Sequence, residues 1–135
     1  MNFTPSKPFI DYLEAAGYSV LKLTLSKKPF EVMIIGEKDE EYRKPSKWIM
    51  SRLRMYDYVL FTNGYGANFP WFITEFENWG YSPDLQTAYY SNGLIVQIGV
   101  DDIIISLGDV VANYKGLNNL EEKINKFASN ETKAS

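Results

Sequence analysis

Asn92-Gly93 constrains this chain more than any other feature, because it stands between two runs rich in β-formers, Thr87–Tyr90 and Leu94–Ile98. Asn and Gly tolerate the backbone angles of a tight turn, so the two runs are predicted to pair as an antiparallel hairpin. Other segments carry the same period-two signal. Val20–Leu25 alternates Leu21, Leu23 and Leu25 with Val20, Lys22 and Thr24. Tyr56–Thr62 is rich in β-formers and closes on Asn63-Gly64-Tyr65-Gly66, where two glycines permit a turn or a close approach to another molecule. Trp71–Trp79 places Trp71, Ile73, Glu75 and Glu77 on one face and Phe72, Thr74 and Phe76 on the other. Ile103–Leu107 reads as a buried strand, extended by Gly108–Asn113 after a kink or bulge.

Helical signals separate these strands. Ser6 caps and Pro8 opens a helix over Lys7–Gly17 that packs on the outside of a barrel. Ser26 caps a second helix with Phe30, Met33 and Ile34 as its apolar stripe, and Gly36 supplies the left-handed stop. Pro45-Ser46 opens a third over Lys47–Arg54, with Trp48, Ile49 and Leu53 inward and Lys47, Arg52 and Arg54 outward. Asn118 and Glu121 form a capping box for a last helix bearing Leu120, Ile124 and Phe127, followed by a polar tail from Ser129. The expected organisation is a helical extension over 1–19, a barrel over 20–113, a C-terminal helix over 114–128 and a flexible tail over 129–135. The fold class is α+β, a small mixed barrel flanked by helices.

With 135 residues, 45% of them apolar and 16% aromatic, the chain has material for one core. It contains no cysteine and no histidine, which removes thiol and imidazole chemistry, disulfides and Cys/His metal sites. No metal and no cofactor is expected, and any catalysis would use carboxylates, lysine, hydroxyls or water. Neither a signal peptide nor a membrane span is expected, so the cytoplasm is the default location. The net charge of −3 opposes bulk attraction to nucleic acid, but the charge is uneven. Eight of the fourteen cations lie between Lys27 and Arg54, against five acids.

Within that basic stretch, Gly36-Glu37-Lys38-Asp39-Glu40-Glu41-Tyr42-Arg43 packs two cations and four carboxylates into eight residues. A solvated helix exit is the ordinary reading of such a run. If the chain instead enters a strand after Gly36, Glu41 and Arg43 share one face and Lys38 guards the entrance. Lys38 is then either a phosphate anchor or perturbed base, or half of a solvated ion pair. Arg43 either grips a phosphate, stacks on a base, or is simply oriented by Glu41. Glu75 reads as a proton carrier or as a partner of Arg43 or Lys38. Tyr65, Phe69 and Trp71 read as base-stacking surfaces or as core and rim. Lys47, Arg52 and Arg54 read as a phosphate-binding stripe or as a solvated basic face.

The pattern Gly36-x-Lys38-x-x-Glu41-x-Arg43 resembles the G-x-K-x-x-E-x-R signature of the ASCH domain, a PUA-like β-barrel family. The flanking Tyr56–Tyr65 and Ile103–Val111 segments add to the likeness, which covers about Val20 to Asn113. The resemblance implies a PUA-like barrel of the small bacterial or phage type that binds RNA or a nucleotide in a cleft beside the motif. Gly36, Lys38, Glu41, Arg43, Asn63, Tyr65 and Trp71 would line the cleft, with Lys47, Arg52 and Arg54 on the phosphate backbone. Some bacterial members resemble amidohydrolases of acetylated cytidine nucleosides, which implies Lys38 and Glu75 as a catalytic pair. Here the threonine position of that chemistry is Glu41. A hydrolase of modified nucleosides or RNA, and a protein-interaction module, stand as the alternatives.

Overall fold

Four consecutive residues of one strand, Tyr58, Val59, Leu60 and Phe61, are buried, so that strand is covered on both faces and the sheet around it separates two apolar layers. The computed structural model describes residues 4–64 and 69–117. Among them the order of elements is α1 (Lys7–Ala15), β1 (Val20–Thr24), α2 (Lys27–Ile34), β2 (Glu40–Arg43), α3 (Lys47–Met50), β3 (Tyr58–Thr62), β4 (Trp71–Tyr81), β5 (Gln86–Tyr89), β6 (Ile95–Ile98), β7 (Ile103–Asn113) and β8 (Gly116–Leu117).

The main sheet runs β1-β3-β4-β7-β2, with β8 attached to β7, and curls into a half-barrel. β1 lies parallel to β3, and the other pairings of this sheet are antiparallel. The curl has a local cause. The β4–β7 ladder shifts register between Ile73 and Thr74, between Thr74 and Phe76, and between Phe76 and Asn78. Such bulges bend and twist the strands that carry them, so the β2 edge swings back toward β1. There Arg43 Nη2 donates to the Thr24 carbonyl at 2.8 Å, joining the two edges.

On the concave side Phe30 and Met33 of α2 pack with Leu21, Leu23, Val59, Phe61, Phe72, Ile103 and Ile105. On the convex side Ile10 and Leu13 of α1 pack with Tyr58, Leu60, Trp71, Ile73, Val111 and Ala112. The alternation expected along β4 therefore holds, with Phe72 and Trp71 facing opposite layers.

The Asn92-Gly93 hairpin forms as a separate two-stranded ribbon, β5–β6. Gly93 has φ +84°, and Tyr90 N–H donates to the Leu94 carbonyl at 3.0 Å. Its loop is thus three residues long with the glycine in the left-handed position. Two helix starts differ from expectation. Neither the Ser6 nor the Ser26 side chain makes a capping bond, whereas Ser46 Oγ accepts from Ile49 N–H at 3.3 Å. The third helix ends at Met50 rather than Arg54, and a single turn presents only Ile49 fully to the core. Trp48, expected inward, is 47% exposed. The capping box and helix expected from Asn118, and the tail, lie outside the described residues. Among the described residues no helix is long and apolar enough to cross a membrane.

Candidate functional site

Gly36, with φ +81°, ends α2 in the left-handed conformation its sequence position called for. Lys38 N–H then returns to the Val32 carbonyl at 3.0 Å, and the chain enters β2 with Glu40 opposite Ser106, Glu41 opposite Ile105 and Arg43 opposite Ile103. Period-two alternation turns Glu41 and Arg43 toward the concave side, as predicted from the sequence. Glu40 and Tyr42 share the other face, where the Tyr42 hydroxyl donates to Glu40 Oε1 at 2.6 Å.

Glu41 is held between two cations. Its Oε1 lies 3.3 Å from Lys38 Nζ, and its Oε2 accepts from Arg43 Nε at 2.9 Å. The Tyr42 backbone N–H also donates to Oε1, at 3.2 Å. Lys38 does not guard an entrance. It is 3% exposed, and its ammonium donates to the Glu40 carbonyl, lies 3.6 Å from Met33 Sδ and sits 4.8 Å from the centre of the Tyr42 ring. Burial pushes its pKa below the ordinary 10.5, outweighing the opposing pull of Glu41. Burial also raises the Tyr42 hydroxyl, helped by hydrogen bonding to Glu40 and Tyr90.

Lys38, Glu41, Tyr42 and Arg43 form one side of a cleft of about 240 Å³. Thr24, Leu25 and Pro29 form another, and Val96 of the hairpin reaches over it. Polar contacts dock the hairpin on α2 and the motif. Glu37 Oε2 accepts from Ser91 Oγ at 3.0 Å, and Asn92 Nδ2 donates to the Lys28 carbonyl at 2.9 Å. At its base Asp102 accepts from Lys44 Nζ at 2.7 Å and from Gly99 N–H at 2.6 Å.

Several expected members of the site lie elsewhere. Glu75 is the register partner of Tyr58, on the convex face, where its Oε1 accepts from Asp109 N–H at 3.2 Å. Glu41 pairs with Ile105 on the concave face. The sheet therefore stands between Lys38 and Glu75, and the expected catalytic pair is not assembled. Trp71 is 0% exposed, its indole N–H donated to the Thr4 carbonyl at 2.7 Å and its ring 5.4 Å from Phe9, so it is core and offers no stacking face. Asn63 follows β3, its N–H donating to the Pro70 carbonyl at 2.9 Å, and is not part of the cleft wall. Gly36 shapes the entry to β2 without lining the cleft. Tyr65 lies outside the described residues.

The basic residues after the motif do not form a helical stripe, because α3 stops before Arg52. Arg52 lies over the Trp48 ring at 4.1 Å and Arg54 over the Tyr56 ring at 4.9 Å. Both arginines line a groove beside β1, which Lys47 does not. Sequence reasoning missed Thr24, Pro29 and Val96 as walls of the cleft, and Trp48 as a wall of a separate groove along β1. Thr24 contributes a backbone carbonyl to Arg43, and Val96 arrives from a distant hairpin, so neither has a local signal. Among the described residues no cluster of three or more carboxylates is placed to hold a metal ion.

Fold and site together define a small α+β half-barrel whose concave edge carries a buried lysine–carboxylate pair and a partly exposed arginine, opening on a narrow cleft. Comparison with known proteins adds no relative: no family model, curated protein or solved structure matches the chain.

Proposed function

We propose that this protein is an RNA- or nucleotide-binding module of ASCH type, taking one unstacked base or nucleotide of single-stranded RNA in the cleft beside Lys38, Glu41 and Arg43. The Lys38–Glu41–Arg43 chain is the observation that carries the reading. Desolvating such charges costs several kcal/mol per ion, and mutual attraction seldom more than offsets it. Stability alone is a poor reason to keep the chain, and a perturbed lysine in a cleft is a functional-site signal.

Arg43 is the recognition group. Nε and Nη2 are fixed by Glu41 and the Thr24 carbonyl, and among the described residues Nη1 has no protein partner. A guanidinium whose plane is set in advance gives its remaining donors to a phosphate or base carbonyl at little entropic cost. The cleft, at about 240 Å³, falls just below the roughly 300–1,000 Å³ of drug-sized ligand sites, which suits a single nucleotide and excludes a duplex. Single-stranded RNA is read through such splayed bases. The motif's resemblance to the ASCH signature supports the same reading, since Lys38, Glu41 and Arg43 all reach the cleft and Gly36 makes the turn that puts them there. A PUA-like barrel and a cytoplasmic setting belong to this proposal. Hydrolysis by Lys38 and Glu75 is not carried forward, because the two lie on opposite faces.

Titration of ribonucleoside monophosphates and short single-stranded RNA, followed by backbone amide shifts, tests the proposal. Shifts are expected at Thr24, Arg43 and Val96. Arg43→Ala should abolish them while the melting curve stays cooperative, and Arg43→Lys should not restore them. No binding of any nucleotide or RNA at low salt would overturn the proposal, whether or not a protein partner is found instead.

A further inference from the structure

Building on the nucleotide-binding reading, we infer that the open edge of β1 is the track along which a single RNA strand reaches the Arg43 cleft, with Arg52 and Arg54 on its phosphates and Trp48 under one of its bases. β1 is an outer strand of the sheet. Ser19 accepts from Tyr58 N–H and Leu25 donates to Thr62, so the odd-numbered residues bond β3. The main-chain groups of Lys22 therefore face outward.

Two grooves follow this edge. One, of about 480 Å³, runs past Tyr56, Arg54 and Arg52 to Lys22. The other, of about 500 Å³, continues from Lys22 past Trp48 to Thr24 and Thr62. Thr24 also walls the Arg43 cleft, so the three spaces are neighbours around the β1 edge, sharing Lys22 and Thr24 as lining residues.

The charges select the occupant. Of the acids bordering the track, Glu14 pairs with Lys22 at 3.1 Å and Asp11 with Lys7 at 2.7 Å, while Asp57 accepts from the Ser19 N–H at 2.8 Å. Arg52 and Arg54 have no carboxylate partner among the described residues, leaving two unbalanced positive charges on a protein of net charge −3. They are also pre-positioned. Arg52 stacks on Trp48 and donates through Nη1 to the Trp48 carbonyl at 2.8 Å, and the Tyr56 hydroxyl donates to the Arg52 carbonyl. One face of the Trp48 ring is covered by Arg52, and the residue as a whole is 47% exposed and lines the groove. A cation spaced beside an exposed indole suits a phosphate followed by a base, the repeating unit of a single strand. An extended peptide pairing with the same edge would answer both arginines only if it carried acids at matching positions, and its main-chain pairing makes no use of the exposed indole.

The test measures fluorescence anisotropy of the full chain with labelled oligouridines from about four to about sixteen nucleotides, the usual span of single-strand sites, alongside uridine monophosphate as competitor. Longer oligomers should bind more tightly than the mononucleotide. Joint Arg52→Ala and Arg54→Ala should lower the salt slope by about 1.4, at about 0.7 per phosphate contact on a single strand. Trp48→Ala should weaken oligomer binding roughly 5- to 150-fold, Trp48→Phe less, and neither should change mononucleotide affinity. If the mononucleotide binds at Arg43 but chain length and these variants make no difference, the track is wrong and the cleft reading survives. If these residues bind an acidic peptide instead of RNA, the track likewise falls and the cleft reading stands or falls on the mononucleotide; if neither mononucleotide nor oligomer binds, the inference falls together with the reading beneath it.

Discussion

Replacing Glu41 by Gln removes the carboxylate that pairs with Lys38 while keeping the side chain's shape. The Tyr42 N–H can still find an acceptor in the amide oxygen, and Arg43, partly exposed, can rehydrate. Lys38 cannot, because its side chain is 2% exposed and is left with neutral partners alone, the amide oxygen at position 41, the Glu40 carbonyl, Met33 Sδ and the Tyr42 ring. At the observed 3.3 Å the lost attraction is on the order of 5 kcal/mol for an effective dielectric constant of 20. Breaking a buried pair costs about 3–5 kcal/mol. Relief from deprotonating Lys38 places the expected loss near the low end, about 3 kcal/mol, which for a domain of this size lowers the melting midpoint by about 10–15 °C.

Lys38→Met is the counterpart. It removes the buried ammonium, leaves Glu41 paired with Arg43, and places a flexible thioether beside Met33. Its stability should equal or exceed the wild type's. Thermal and urea melts of the three proteins near neutral pH read this directly. A fall of less than about 1 kcal/mol in Glu41→Gln, the scale of an exposed ion pair, would show that water reaches Lys38 and would refute the reasoning. The pH dependence gives a second arm. The native state holds the Lys38 proton less tightly than the unfolded chain, so the unfolded chain binds more protons between the lowered value and 10.5. Stability should therefore rise with pH in that window, relative to Lys38→Met. Tyr42 and Tyr90, raised in the native state, act in the opposite direction above their ordinary value of 10.0, so the comparison belongs below it.

Thr74 Oγ1 is buried with no hydrogen-bond partner, on the face shared with Phe72 and Phe76, and Thr74→Val should stabilise the protein by about 1 kcal/mol in urea melts, whereas a destabilisation of that size would indicate a polar partner. Asp102, whose carboxyl Lys44 and the Gly99 N–H hold below its ordinary 3.8, contributes stability above that value that is lost as pH falls through the lowered one. Asp102→Asn should remove this acid limb and speed amide exchange in the β5–β6 hairpin, and unchanged exchange would show that the hairpin is held by its tip alone.

Much of the local structure was legible in the sequence because its causes are local. The alternation of Val20–Leu25, the left-handed Gly36, the Asn92-Gly93 turn and the shared face of Glu41 and Arg43 depend on neighbours a few residues away. The environment of each charge is different in kind. Lys38 reads as a solvated cation in any window of its own sequence, and becomes a buried one only because α2 and the curled sheet close over it. Trp71 and Trp48 show the same limit in opposite directions. Both are tryptophans beside turn signals, yet α1 covers the first and a one-turn helix leaves the second exposed. Which face a strand turns to which layer is set by register with partners far away in the chain. Period two therefore correctly grouped Glu75 with Trp71 and Ile73, and only the pairing of β4 with β3 and of β2 with β7 placed that face across the sheet from Glu41.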